Sequence, residues 1–314
     1  MNTSKLPLRN RWDLLLSLIT LICLLLSWQR EISPEFEWIW LGCMMIFTGI
    51  PHGATDHLVH WHKQKEKGAE RSWRAFLLPY LLQMLLYGLA WIILPVWSFL
   101  LFLGISFYHF GQSQLYYLEL PEENILKKFL YLLWGAWILA IILLSDAQES
   151  FLYLEEILPA TWIDVSGWEQ AYLPLVGGLS GLIFVLFIFL WAKRKMTSAD
   201  LIRELGVGAL LGISLHVCSL WISFGLYFGL WHATKAIRAE LSLMKHEDPT
   251  WSLKDWIRQA LPFSLISFLG LFLLVFLWQN WGQSWHPVFL FFVGISMLTL
   301  PHMTTLEHMY KYLK

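Results

Sequence analysis

The 314-residue chain is 57% hydrophobic and only 14% charged, with a mean hydropathy of +0.54 and a net charge of −1. Ordinary globular domains carry about 25% charged residues, so a water-soluble domain is excluded, and the near-neutral balance offers nothing to a nucleic acid. The apolar runs are long and do not alternate with polar residues, which points to membrane helices rather than barrel strands. In chain order, spans are predicted at roughly 12–28, 37–51, 75–94, 96–111, 128–145, 171–192, 205–217, 218–234, 259–280 and 285–301. Many of the 20 tryptophans sit near span ends, where an aromatic belt would place them. The first run has no small-residue cleavage site after it and is read as a membrane helix.

Loop charge tests this division. The N-terminus carries Lys5, Arg9 and Arg11, and the following loop, REISPEFE, is mostly acidic. The loop HKQKEKGAERSWR is strongly basic, Lys127 and Lys128 follow the fourth span, and SDAQESFLYLEEILPATWIDVSGWEQ is acidic. AKRK, then Lys235, Arg238 and Lys245, then the tail KYLK complete the pattern. Basic and acidic sides alternate without violation if residues 205–234 cross twice, either as two short spans or as a re-entrant pair. The expected fold is all-α: a polytopic membrane protein of about eight to ten transmembrane helices in a single bundle, both termini cytoplasmic, forming one domain over residues 1–314 with no internal repeat. Cys23, Cys43 and Cys218 lie in apolar segments without CxxC spacing and read as small core residues.

Of the 11 histidines, His52, His109, His232 and His302 all fall near cytoplasmic span ends, on four different segments. Polar groups at membrane depth face the bundle interior and carry function. Neutral imidazole is the commonest ligand of first-row transition metals. Four rings at one depth are therefore read as a candidate metal layer. Asp56 lies four residues after His52, on the same face if the segment is helical, where a carboxylate would hold the second ring nitrogen of His52. Gln112, Ser113 and Gln114 follow His109 within a turn or so. The dipeptides Pro51-His52 and Pro301-His302 are expected to break their helices and let the histidine turn inward. His60, His62 and His246 read as solvated loop residues, His286 and His308 as interfacial, and His216 as a turn residue on the opposite side.

The segments GIPHGATDH, YHFGQSQ, FGLWHATKA and LPHM, in this order and spacing, resemble the Brp/Blh family of bacterial and archaeal membrane proteins, the β-carotene 15,15′-dioxygenases. The resemblance runs from about residue 40 to the end and leaves the N-terminal helix, residues 1–36, outside it. It implies a multi-pass protein of the cell inner membrane that uses Fe(2+) and O₂ to cleave the central double bond of β-carotene, or of a related carotenoid, into two molecules of retinal, the chromophore of rhodopsins. Carried over by position, the implied iron ligands are His52, His109 and His232. The family's further histidine would fall at residue 236, where this chain has Ala236, and Gln114 stands near the place of an acid. His302 is the expected substitute for the fourth ligand, with His57 in reserve, and Asp56 and Gln112 are expected to support the ligands. An apolar tunnel for the polyene would be lined by aromatic residues, among them Phe107, Tyr108, Phe224, Tyr227, Phe228 and Trp231, with Trp40, Phe110 and Trp221 nearby. Two other readings fit the same histidines: a metal or proton transporter, and a carotenoid-binding protein that has lost catalysis along with the histidine at 236.

Overall fold

The computed structural model describes residues 7–29, 32–121, 123–280 and 285–313. Lys5, Arg30, Glu31 and Lys314 of the charge pattern lie outside them. The described residues form helices and turns, with no strand among them. In order, the helices are α1 (Pro7–Trp28), α2 (Pro34–Met44), α3 (Asp56–Glu66), α4 (Trp73–Ile93), α5 (Pro95–Leu115), α6 (Ile125–Leu144) and α7 (Ala147–Leu154). Then come α8 (Val165–Ala192), α9 (Ser198–Val217), α10 (Leu220–Phe224), α11 (Thr234–Glu247), α12 (Leu253–Asn280) and α13 (Pro287–Tyr312). Two π-helical segments interrupt this series: Met45–Gly49 continues α2, and Gly225–Ala233 joins α10 to α11.

Among the described residues, six helices are long and apolar enough to cross a bilayer: α1, α4, α6, α8, α12 and α13. The other four predicted segments are also helical, in α2 with its π extension, α5, α9, and α10 with the second π segment. In the α6 span 61% of residues are buried, against 17% in α1, α4, α8 and α12, so α6 is the central post and those four present apolar faces outward. Exposed Leu, Ile and Phe side chains cover the outer faces, among them Leu78, Leu85, Ile93, Leu265 and Phe272. Lipid solvates such faces; water would not.

Glycine sets the closest packing. A Cβ on Gly111 would collide with the carbonyl of Tyr131, and one on Gly135 with the carbonyl of Phe107. The backbones of α5 and α6 therefore touch at two reciprocal points, the small-residue contact that substitutes for hydrophobic drive inside a membrane. At Gly229 a Cβ would sit 2.5 Å from the Cβ of Met44, so glycine also lets the second π segment close on α2. The N-terminal helix joins the same core, because the indole of Trp231 donates to Thr20 Oγ1 at 2.8 Å.

Two expectations change, one on a loop and one on a proline. The stretch HLVHWHK, which holds His60 and His62, is not a solvated loop. It is most of α3, whose Leu58, Val59 and His62 are buried, with Leu58 and Val59 in a cluster with Leu306 and Met309 of α13. Pro51 does break its helix, into a turn and then a short 3-10 segment, Gly53–Thr55. Pro301 does not: α13 runs through it, and the hydroxyls of Thr304 and Thr305 donate to its carbonyl at 2.7 and 3.1 Å. Packing on both sides holds a membrane helix together where one backbone bond is missing.

Candidate metal centre

His52 follows the first π segment, His109 sits six residues from the end of α5, His232 lies within the second π segment, and His302 lies on α13. All four are buried, at 4% exposure or less. Their rings form a closed circuit with centroids 4.8 Å apart for His52 and His302, 5.2 Å for His302 and His109, 4.7 Å for His109 and His232, and 5.2 Å for His232 and His52. Adjacent planes are 75–90° apart. One ring nitrogen from each of His52, His109 and His232 lies within 4.8 Å of the others.

The hydrogen bonds fix which nitrogen each ring offers. The Nδ1 of His52 meets the carbonyl of Gly49, which only accepts, so it carries a proton. The Nδ1 of His302 donates to Asp56 Oδ1 at 2.7 Å. The Nδ1 of His232 lies 2.9 Å from Ser113 Oγ, whose own proton is directed to the carbonyl of Phe110 at 3.1 Å. Each of these three rings therefore keeps Nε2 as its lone-pair atom. The Nε2 atoms of His232 and His302, and both nitrogens of His109, are buried without any hydrogen-bond partner. Unpaired nitrogens at this depth are costly in a folded protein. A divalent cation drawn in by their lone pairs removes that cost, so the residues present fit a metal.

Asp56 holds His302, not His52 as the four-residue spacing suggested. The intervening residues form a 3-10 turn, so the α-helical face calculation does not apply there. The other carboxylate oxygen of Asp56 accepts from Tyr80 at 3.0 Å. His57 stands apart from the four rings. It packs against Trp61, Trp73 and Phe263, and its Nε2 faces Gln259 Oε1 at 3.4 Å. Gln112 is fully buried, and neither atom of its amide has a partner. Gln114 lies outside the ring of histidines, bridging Lys235 to Glu204, to which its Nε2 donates at 2.6 Å. An acid at 114 would set two carboxylates against each other. Ala236 is completely buried one turn past His232. The residues that sequence reasoning missed are the carbonyl of Gly49, Tyr80, and the role of Ser113. Only Ser113 carried a signal, by its position one turn past His109.

His52, His109 and His302 face an apolar cavity. Along α13 its lining extends from His302 back to Phe289, thirteen residues, about 20 Å of helix at 1.5 Å per residue. Trp91, whose ring meets Phe289 at 5.7 Å, lies toward the end remote from His302, and Leu143 and Leu220 also line the cavity. The lining is almost entirely apolar, with Phe110, Trp221, Phe224 and Phe228 contributing aromatic faces. Phe224 and Phe228 stack at 5.2 Å, and Phe228 stacks in turn on His232 at 5.9 Å. Tyr227 and Trp231 point elsewhere, Tyr227 onto Phe110 and Trp231 toward α1. Tyr108 packs on Tyr131 of α6, and neither it nor Phe107 lines the cavity.

A helical membrane bundle that gathers four buried imidazoles at one end of an apolar cavity defines a class: a membrane-embedded protein with a buried histidine cluster whose residues fit a metal. The chain matches the family described as beta-carotene 15,15′-dioxygenase over residues 43–310, and it belongs to that family. It is 23% identical over 276 residues to the beta-carotene 15,15′-dioxygenase of Uncultured marine bacterium 66A03, an alignment that covers 88% of this chain and 94% of that relative. No solved structure matches it.

Proposed function

We propose that this protein cleaves the central 15,15′ double bond of β-carotene with O₂ to give two molecules of retinal, at a ferrous ion held by His52, His109, His232 and His302. The observation that carries the reading is the convergence of four imidazoles, three with Nδ1 already engaged, at the end of an apolar cavity about 20 Å long. A ferrous ion there supplies the activation of O₂. Both oxygen atoms then enter product, one on each retinal, so no external reductant or acid is required.

The chain's own residues do the rest. Four neutral rings leave the ion its full charge and leave coordination positions open. His302 takes the place that the family gives to a histidine at 236, which makes Ala236 compatible with a four-histidine site. Asp56, through His302, raises the basicity of one ligand and fixes its ring. The aromatic walls would hold the polyene straight and exclude water, with Phe228, stacked on His232, forming the wall next to the ligands. The proposal extends to the cell inner membrane, to both termini on the cytoplasmic side, and to chromophore supply for a rhodopsin as the use of the product.

The test is expression in cells that accumulate β-carotene. Loss of colour with appearance of retinal supports the reading, and His52→Ala is expected to abolish both while His60→Ala leaves them intact. Iron-loaded protein that never bleaches the cells would instead favour a carotenoid-binding role. The transporter reading gains nothing from the cavity, whose apolar lining gives an ion no polar path.

A further inference from the structure

A second cluster lies on the two helices that carry Asp56 and His302, six or more residues further along each: His62 and Glu66 on α3, and His308 on α13. Six helical residues rise about 9 Å, so the cluster is separate from the four-histidine centre. We infer that His62, Glu66 and His308 form a second metal site, for a divalent transition ion of the zinc class, that clamps α3 to α13.

His62 is only 5% exposed, yet its Nε2 is buried with no hydrogen-bond partner. Its other nitrogen is already committed, with Nδ1 2.5 Å from Glu247 Oε1 on α11. The carboxylate keeps the proton on Nδ1 and leaves the Nε2 lone pair as the only free valence, which is how outer carboxylates orient ligating histidines. That Nε2 points at Glu66 Oε1, 3.9 Å away. The distance is too long for a hydrogen bond and about 0.5 Å longer than the ~3.3–3.4 Å between two atoms bound tetrahedrally to one ion at ~2.0–2.1 Å each, a gap that a small rotation of the Glu66 side chain closes. On the far side, Glu66 Oε2 accepts from His308 Nε2 at 2.8 Å, a bond that holds the ring within reach and that the ion would replace as Nε2 gives up its proton. One ligand atom from each residue falls within 4.8 Å of the other two.

The local design favours this reading. His62 and Glu66 are four apart in a regular helix and share a face. The ring of Tyr312 packs edge-on against His62 at 4.3 Å and restricts its rotation. Lys65 approaches the second oxygen of Glu247 at 3.5 Å, so that carboxylate is balanced without the ion. Two imidazoles and a carboxylate suit zinc and its neighbours; magnesium and calcium demand oxygen ligands. Glu66 and His308 are 38% and 25% exposed at their side chains, which gives an ion access and leaves a fourth position to water. Bound there, the ion ties together the two helices that Asp56 and His302 join within the bundle, and so steadies the geometry of the buried centre without touching substrate.

The experiment uses the full-length protein in detergent, stripped of metal and reloaded with iron, then titrated with zinc and assayed for metal content. The wild type is expected to bind one zinc per chain in addition to its iron. His308→Ala and Glu66→Gln, both at partly exposed side chains, are expected to lose that zinc or to weaken it at least tenfold while keeping iron. His52→Ala is expected to keep the zinc. Zinc binding that is the same in wild type, H308A and E66Q overturns the inference. So does zinc that is lost in H52A but retained in H308A, because that assigns it to the buried centre. Bleaching of β-carotene does not enter either readout, so the inference stands or falls apart from the proposed reaction.

Discussion

Asp56→Asn isolates the part of the centre most specific to this structure. Asp56 is 2% exposed and receives two donors, His302 Nδ1 at 2.7 Å and the hydroxyl of Tyr80 at 3.0 Å. Asparagine keeps the volume but removes the charge and turns one oxygen into a donor, which then faces either the tyrosine hydroxyl or the imidazole N–H. Loss of an outer carboxylate typically weakens metal binding 10–100-fold, or about 1.4–2.7 kcal/mol. Tyr80→Phe leaves the Asp56–His302 bond in place and is expected to weaken metal binding by less than about tenfold, the worth of one hydrogen bond to a charged group at the low end of its range. The assay is competition for ferrous iron between purified protein and a chromophoric chelator. If D56N binds iron within about twofold of wild type while His302→Ala fails to bind, Asp56 does not orient His302 toward the metal. If neither variant loses iron, His302 is no ligand, and Ala236 leaves the centre with three histidines.

His57→Ala is expected to leave iron affinity unchanged in the same competition, because its ring packs among Trp61, Trp73 and Phe263 away from the four histidines; a tenfold loss would bring it back as a ligand. Gly111→Ala forces a methyl into the carbonyl of Tyr131 and is expected to destabilise the bundle by about 1–3 kcal/mol, read as a lower Tm in detergent, with Gly135→Ala doing the same from the other helix. Leu143→Trp adds bulk to the cavity wall on α6, a helix that carries none of the four histidines. It is expected to spare iron binding and to cut retinal formation roughly 5–150-fold, the equivalent of about 1–3 kcal/mol of overpacking. Glu240 of α11, between Thr55 and Trp256, has its carboxyl pushed up to about 8, chiefly by burial. A raised folded-state value means that the unfolded chain gives up its proton first, so stability is full below about 4.5 and falls as pH rises toward about 8. Glu240→Gln is expected to flatten that decline in denaturation curves taken across the window; an unchanged slope would mean Glu240 is ionised when buried.

What the sequence disclosed about this centre was depth. Four histidines at matching ends of four apolar segments already implied a common layer, because span length and loop charge fix how far along each helix a residue sits. The same reasoning could not assign partners. Asp56 went to His302 instead of His52 because Pro51 ends the helix and residues 53–55 wind as a 3-10 turn, where four-residue arithmetic fails. The cavity wall was half legible for the same reason. Residues 224, 228 and 232 share one face, while Tyr227 and Trp231, equally aromatic, turn away. Nothing in composition separates those sets; the turn geometry does.

The two π segments connect these facts. Both lie beside the centre, one leading into His52 and the other carrying His232, and both are packed against each other. A π turn leaves backbone groups poorly paired and persists only where something compensates, which is why such turns collect at functional sites. Here the carbonyl of Gly49, at the end of the first π segment, is the acceptor that fixes the ring of His52. A Cβ on Gly49 would lie 2.9 Å from Met45 Cε and 3.1 Å from Phe228, so a larger residue there requires the Met45 side chain to move. Relaxing either segment to α would change the rotation of the residues after it, swinging His52 or His232 out of the circuit of rings. The backbone irregularity and the unpartnered nitrogens therefore account for each other: each would be a defect alone, and together they give the arrangement that the proposed metal ion would complete.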